Sequence, residues 1–92
     1  MSERDVVVIG GCGHVGLPLA IAFADRGANV AIYDVSETAV GAVNSGKMPF
    51  AEPGADEVLR RVTGEGRLFA STDPAIVGTA ENVVVVIGTP VD

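Results

Sequence analysis

The chain has no tryptophan, one tyrosine and three phenylalanines in 92 residues. Its 48% apolar content is therefore carried by small and branched side chains, with many valines and alanines, and glycine is abundant besides. That composition suits a buried parallel sheet with helices lying close against it. A single cysteine excludes an internal disulfide framework. Basic residues are also scarce: six Lys and Arg against twelve Asp and Glu leave a net charge of −6. Apart from Arg60-Arg61 the basic residues are scattered, so no basic patch exists to neutralise the phosphates of a nucleic acid. No apolar run approaches the roughly 20 residues of a membrane span. The start, Met1-Ser2-Glu3-Arg4-Asp5, is polar and the apolar run after it is short, unlike a secretory leader. The expectation is one small, soluble, cytoplasmic domain without internal repeats. A chain of this size buries about 60–65% of its unfolded surface, so its stability is marginal.

What the chain has in abundance is glycine, 12 residues in all, and three of them are spaced with purpose. Val6-Val7-Val8-Ile9 runs into Gly10, and Gly11, Gly13 and Gly16 then fit G-x-G-x-x-G. A helix-compatible pattern follows at once through Val15, Leu17, Leu19, Ala20, Ile21, Phe23 and Ala24, until Gly27 stops it. So rich a chain can meet the glycine pattern by chance, and the motif alone is weak. A strand directly before it and a helix directly after it give it mechanical sense. The first glycine permits the tight turn, the second lets a pyrophosphate approach the backbone, and the third lets helix and strand pack closely. The helix N-terminus adds N–H groups and a partial positive charge.

The remaining pattern alternates strands with helices. Strands are expected at about Asp5–Ile9, Asn29–Tyr33, Arg67–Ser71 and Val83–Ile87. The last, apolar on both faces, reads as a central parallel strand. Helices are expected at about His14–Arg26, from an N-cap at Ser36 to about Asn44, from Pro53 as first helical residue to about Val62, and from Asp73-Pro74 to about Thr79. The implied fold class is α/β: a partial Rossmann-like fold, with a four-stranded parallel sheet in order 3-2-1-4 and helices on both faces. Its ligand site lies at the switch point between the first and fourth strands.

Asp34 ends the second strand, 18 positions after Gly16. An acid there can accept hydrogen bonds from both ribose hydroxyls of an adenosine. A 2′-phosphate would face its carboxylate, so NAD is expected and NADP disfavoured. A helix-initiating or merely solvated acid is the plainer reading. Cys12, at the first x of the motif, is either a small side chain tolerated in a crowded turn or a thiol activated by the helix N-terminus. His14, in the first helical turn, either touches phosphate or covers the loop. It has no acid or nucleophile partner that would make it catalytic. Thr89, in Gly88-Thr89-Pro90 after the last strand, either offers a hydroxyl or N–H to the cofactor or belongs to a strand-ending turn. Glu52 reads more readily as a helix-capping acid than as a functional one. Lys47 and Arg60-Arg61 read as ordinary solvated charges.

Five segments together resemble the N-terminal NAD-binding domain of the UDP-glucose/GDP-mannose dehydrogenase family, the nucleotide-sugar 6-dehydrogenases. They are G-C-G-H-V-G-L-P-L-A at 11–20, Y-D-V-S at 33–36, V-x-x-V-N-S-G-x-x-P-x-x-E-P-G at 40–54, R-L-F-A-S-T-D at 67–73 and V-V-I-G-T-P-V-D at 85–92. The E-P-G and T-P segments are far more specific than the glycine motif. The resemblance implies NAD as cofactor, with Gly11, Gly13 and Gly16 on its pyrophosphate, Asp34 on its ribose, and Thr89 near the reacting centre. His14 and Val15 of the same loop complete the cofactor-binding set. The chain departs from the family at His14, where tyrosine is common, and at Gly88, where proline or asparagine is frequent.

The family oxidises a sugar C6 alcohol twice, with two NAD, through a thiohemiacetal and a thioester on a cysteine. By resemblance that cysteine and its lysine and aspartate helpers lie downstream of residue 92, and Cys12 does not match it. The expectation is thus an opening piece, 1–92, without the catalytic and sugar-binding domains and inactive alone. Its apolar fourth-strand edge is expected to drive self-association. Two other readings stay open: a stand-alone NAD-sensing module, and the front half of another NAD-dependent dehydrogenase, such as a 3-hydroxyacid type.

Overall fold

The computed structural model describes residues 4–10 and 12–86. Four strands, β1 (Arg4–Ile9), β2 (Val30–Tyr33), β3 (Leu68–Ser71) and β4 (Ala80–Val85), form one parallel sheet in the order β3-β2-β1-β4. The expected class and strand order are those observed. Three α-helices, α1 (Gly16–Asp25), α2 (Glu37–Asn44) and α3 (Ala55–Gly64), connect β1 to β2 and β2 to β3, and a 3-10 helix at Pro74–Thr79 leads into β4. Strand alternation divides the core. Val8, Val30, Ile32, Leu68 and Ala70 join Leu17, Ala20, Ile21, Ala24, Val43, Leu59 and Val62 in one cluster between the sheet and the α-helices. Val7 and Ala31, equally buried, point to the opposite face, where the 3-10 helix packs on β1, β2 and β4. Alanines at 20, 24 and 70 let the helices sit close to the sheet, as the aromatic-poor composition requires.

Each α-helix stops by the same device. Gly27, Gly46 and Gly66 adopt φ of 105°, 78° and 76° just past the helix end. In the case of α2, Gly46 N–H bonds to the Val43 carbonyl and Lys47 N–H to the Ala42 carbonyl, both at 2.9 Å. These paired bonds satisfy carbonyls that a helix end would otherwise leave bare. The side chain of Asn44, the last residue of α2, reaches β3. Its amide donates to the Ala70 carbonyl and accepts from the Ala70 N–H, both at 2.8 Å. The asparagine thus presents a peptide-like edge to the outermost strand.

Four details differ from the sequence reading. Helix α1 begins at Gly16 rather than His14, because residues 12–15 form the turn itself. Helix α3 begins at Ala55 rather than Pro53: Gly54, at φ 79°, is its N-cap, and the Glu52 carbonyl accepts from Ala55 N–H at 3.1 Å in the preceding turn. Glu52 thus meets the start of α3 through its backbone, and the acids in the first turn are Asp56 and Glu57. Strand β4 starts three residues earlier than expected because Arg4, at the head of β1, pairs with Ala80. Among the described residues β4 is an edge strand rather than a central one, with Val83 and Val85 exposed at 45% and 58%. Its expected end, Ile87, lies outside the described residues. Finally, Arg61 is not simply solvated: it forms ion pairs with Asp25 of α1 and, at 3.8 Å, with Glu65, bracing α1 against α3.

Candidate cofactor site

The site forms where β1 and β2 end and α1 begins. Gly10 leaves β1 with φ 80°, and its N–H bonds to the Tyr33 carbonyl at 2.8 Å. A Cβ at Gly10 would lie 2.8 Å from the Val86 carbonyl oxygen, closer than real Cβ atoms come. The turn out of β1 is therefore pressed against the end of β4, and only glycine fits. Gly13 is different. A Cβ there meets nothing nearer than the Gly10 carbonyl oxygen at 3.6 Å, and its φ lies outside the left-handed region. Among the described residues nothing in the protein requires glycine at 13, and the space beside it is free for a close-approaching ligand. Gly16 is buried as the first residue of α1, as close helix-to-strand packing demands. Gly11 and Thr89 lie outside the described residues.

The N-terminus of α1 is open to an anion. Val15, its N-cap, makes no side-chain capping bond, and no acid sits in the first turn. By contrast, Ser36 caps α2 through its hydroxyl, which accepts from Ala39 N–H at 3.2 Å, and α3 carries Asp56 and Glu57 in its first turn. An uncapped positive dipole end beside a glycine turn fits a phosphate group.

Asp34 stands directly after β2, and its carboxylate is already engaged. Oδ2 accepts from the Cys12 N–H and Oδ1 from the Ser36 N–H, both at 3.1 Å. A carboxylate offers about four acceptor positions, so both oxygens keep capacity for ribose hydroxyls. The backbone of Asp34 is held too, its N–H bonding to the Ser71 carbonyl at 3.1 Å. Val35, the next residue, is 80% exposed. It presents an apolar surface beside the acid, suited to the flat face of a base.

The Cys12 side chain is buried at 6% exposure and packs in the main core cluster. Burial first, and the Asp34 carboxylate second, push its thiol up to about 12. At neutral pH it is a neutral thiol rather than an activated thiolate. The plainer reading of Cys12, a small side chain in a crowded turn, is the one the structure supports. His14 is exposed, and its ring stacks on Phe50 with centroids 4.1 Å apart and planes 22° apart. The sequence reading missed Phe50, which lies in the irregular segment between α2 and α3 and is brought to the glycine turn only by the fold. It also gave Gly10 no role beyond ending the strand, although the doubled glycine at 10–11 marked the position.

The chain matches known proteins along nearly its whole length. Residues 4–92 match the family model described as the UDP-glucose/GDP-mannose dehydrogenase family, NAD binding domain. The GDP-mannose 6-dehydrogenase of Pseudomonas putida is 38% identical over 85 residues, covering 91% of this chain and 19% of that protein. The UDP-N-acetyl-D-mannosamine dehydrogenase of Campylobacter jejuni is 33% identical over 90 residues, covering 98% of this chain and 21% of that protein. The crystal structure of a ternary complex of GDP-mannose dehydrogenase from Pseudomonas aeruginosa superposes with a TM-score of 0.88 at 33% identity, covering 95% of this chain and 20% of that one. The chain thus spans about a fifth of the length of these relatives. It belongs to the UDP-glucose/GDP-mannose dehydrogenase family and corresponds to that family's NAD-binding domain.

Proposed function

We propose that this chain grips NAD for an enzyme that oxidises the C6 alcohol of a UDP- or GDP-sugar to the acid, and that residues 1–92 alone hold the cofactor without oxidising the sugar. The observation that carries the reading is the Asp34 carboxylate, fixed at the end of β2 and bonded to the glycine turn. The residues fit the cofactor in three respects. The α1 N-terminus has no side-chain cap, Gly13 leaves room where a side chain would stand, and Asp34 retains acceptor capacity. In this reading Gly11, Gly13 and Gly16 hold the pyrophosphate with the N–H groups of the α1 start. Asp34 accepts from the ribose, Val35 lies under the base, and His14, Val15 and Thr89 border the remainder. When bound, NAD supplies the hydride acceptor.

Calorimetry tests the assignment. The chain is expected to bind NAD more tightly than NADP, because a 2′-phosphate meets the Asp34 charge. Asp34→Ala is expected to weaken NAD by about 10-fold to 100-fold, the scale of lost hydrogen bonds to a charged group, and to narrow the gap to NADP. Equal affinity of the unaltered chain for the two cofactors would sink the assignment.

A second expectation concerns assembly. β4 exposes Val83 and Val85 on an edge strand, and such edges recruit other strands. Light scattering of residues 1–92 is expected to show self-association that grows with concentration. A monomer that persists at high concentration overturns this.

A further inference from the structure

We propose that Asp34 is also a positioning residue for the pyrophosphate turn: by holding the Cys12 N–H, its carboxylate sets the shape of the glycine loop as well as receiving the ribose. This rests on the reading of Asp34 as the ribose acid and extends it to the other half of the cofactor.

The geometry is specific. The bond from Cys12 N–H to Asp34 Oδ2 spans 22 residues and joins the turn after β1 to the end of β2. The two ends of the turn are fixed, Gly10 N–H to the Tyr33 carbonyl at 2.8 Å and Leu17 N–H to the Gly13 carbonyl at 3.0 Å, while the described bond across its middle, from Gly13 N–H to the Gly10 carbonyl, is long at 3.4 Å and so weak. Both ends of the strut are themselves anchored. The Cys12 side chain is buried in the core. The Asp34 backbone is tied to β3 through Ser71, and its other oxygen to Ser36 at the head of α2. Asp34 is thus held at its backbone and at both carboxylate oxygens, one of which is aimed at the residue between the first two glycines of the motif. A charged acceptor makes a stronger hydrogen bond than a neutral one. In this position it orients the peptide that precedes Gly13, where a phosphate must approach.

Two roles for one carboxylate are separable by chemistry. The probes are NAD and an NAD analogue whose adenosine ribose lacks both the 2′ and 3′ hydroxyls, titrated by calorimetry into the unaltered chain, Asp34→Ala and Asp34→Asn. An acid that serves the ribose alone has nothing to offer the dideoxy analogue. Its removal leaves the analogue's affinity unchanged, or raises it by deleting a negative charge near the phosphates. A loop-holding acid gives the opposite sign. Asp34→Ala is expected to weaken the dideoxy analogue by about tenfold, the scale of one lost hydrogen bond to a charged group. Asp34→Asn can still turn its carbonyl toward the Cys12 N–H, and is expected to weaken the analogue less. Amide hydrogen exchange supplies a readout without ligand: the Cys12 N–H is expected to exchange at least about tenfold faster in Asp34→Ala, with the β1 and β2 amides unchanged as the check on folding.

If NAD weakens while the analogue and the Cys12 amide do not change, the positioning role is wrong and the ribose role stands. If NAD and the analogue bind the unaltered chain equally and weaken equally in Asp34→Ala, the ribose role is wrong and the positioning role stands. If no ligand and no amide responds, both fall.

Discussion

Leu17→Ala is expected to destabilise the fold by about 3 kcal/mol, within the range of about 2–5 kcal/mol for emptying a buried leucine site. Leu17 is fully buried. It stands in the first turn of α1, where its N–H bonds to the Gly13 carbonyl at 3.0 Å. The side chain therefore fills the core at the point where the glycine turn becomes a helix. A domain of this size has about 5–14 kcal/mol in total, so the loss is a large fraction of it. At about 4–8 °C per kcal/mol for domains of this length, the melting temperature followed by circular dichroism should fall by about 15 °C. Leu17→Met keeps the volume and should cost under about 1.5 kcal/mol. A drop of less than about 3 °C for the alanine variant would show that the core does not depend on this contact.

Gly10→Ala should be nearly as damaging, and Gly13→Ala should not be, although both glycines lie in one turn. Alanine at 10 must hold φ near 80°, which costs a side chain about 1–2 kcal/mol. Its methyl would also lie 2.8 Å from the Val86 carbonyl oxygen. Relief requires the end of β4 to move off β1, against the 2.9 Å bond from Val86 N–H to the Ile9 carbonyl. A total of about 2–4 kcal/mol follows, since strain at a special backbone position adds to the steric term. Alanine at 13 meets only an ordinary 3.6 Å contact. It should leave stability unchanged or raise it by up to about 1 kcal/mol, by restricting the unfolded chain. NAD affinity should respond the other way, falling by about tenfold or more in Gly13→Ala, because the methyl occupies the space of a phosphate. Denaturant unfolding and NAD calorimetry on the two variants give the contrast. Equal loss of stability in both would remove the distinction between a glycine the fold needs and one the ligand needs.

The strands and helices were legible because their signals are local: a valine run, a helical period, Ser36 and Asp73 as caps, and glycines as stops. The parallel order was legible because alternating strands and helices leave few right-handed alternatives. Errors arose where a neighbour in space decides. Pro53 has the right form for a first helical residue, but the left-handed Gly54 delays the helix to Ala55. Glu81 and Asn82 carry no strand signal, yet they lie in β4, where Asn82 pairs with Val6 of β1, because an edge strand tolerates polar side chains. At the site, Asp34 was found by its distance from the glycines. Its bond to Cys12 N–H was not, since a backbone donor leaves no trace in residue identity. Phe50 under His14 and Asn44 against Ala70 were hidden for the same reason: each contact joins segments whose separation in sequence says nothing of their distance in space.

The Asn44 amide has a consequence for how the sheet can grow. By pairing with both backbone groups of Ala70, it occupies the outward-facing hydrogen-bonding positions at the middle of β3, so an incoming strand finds no continuous ladder there. The β4 margin has no such stopper among the described residues. Among the described residues the sheet is one-ended, closed at β3 and open at β4. A fifth strand, from this chain or another, has its place beside Val83 and Val85, next to the strand whose end lies against the turn out of β1.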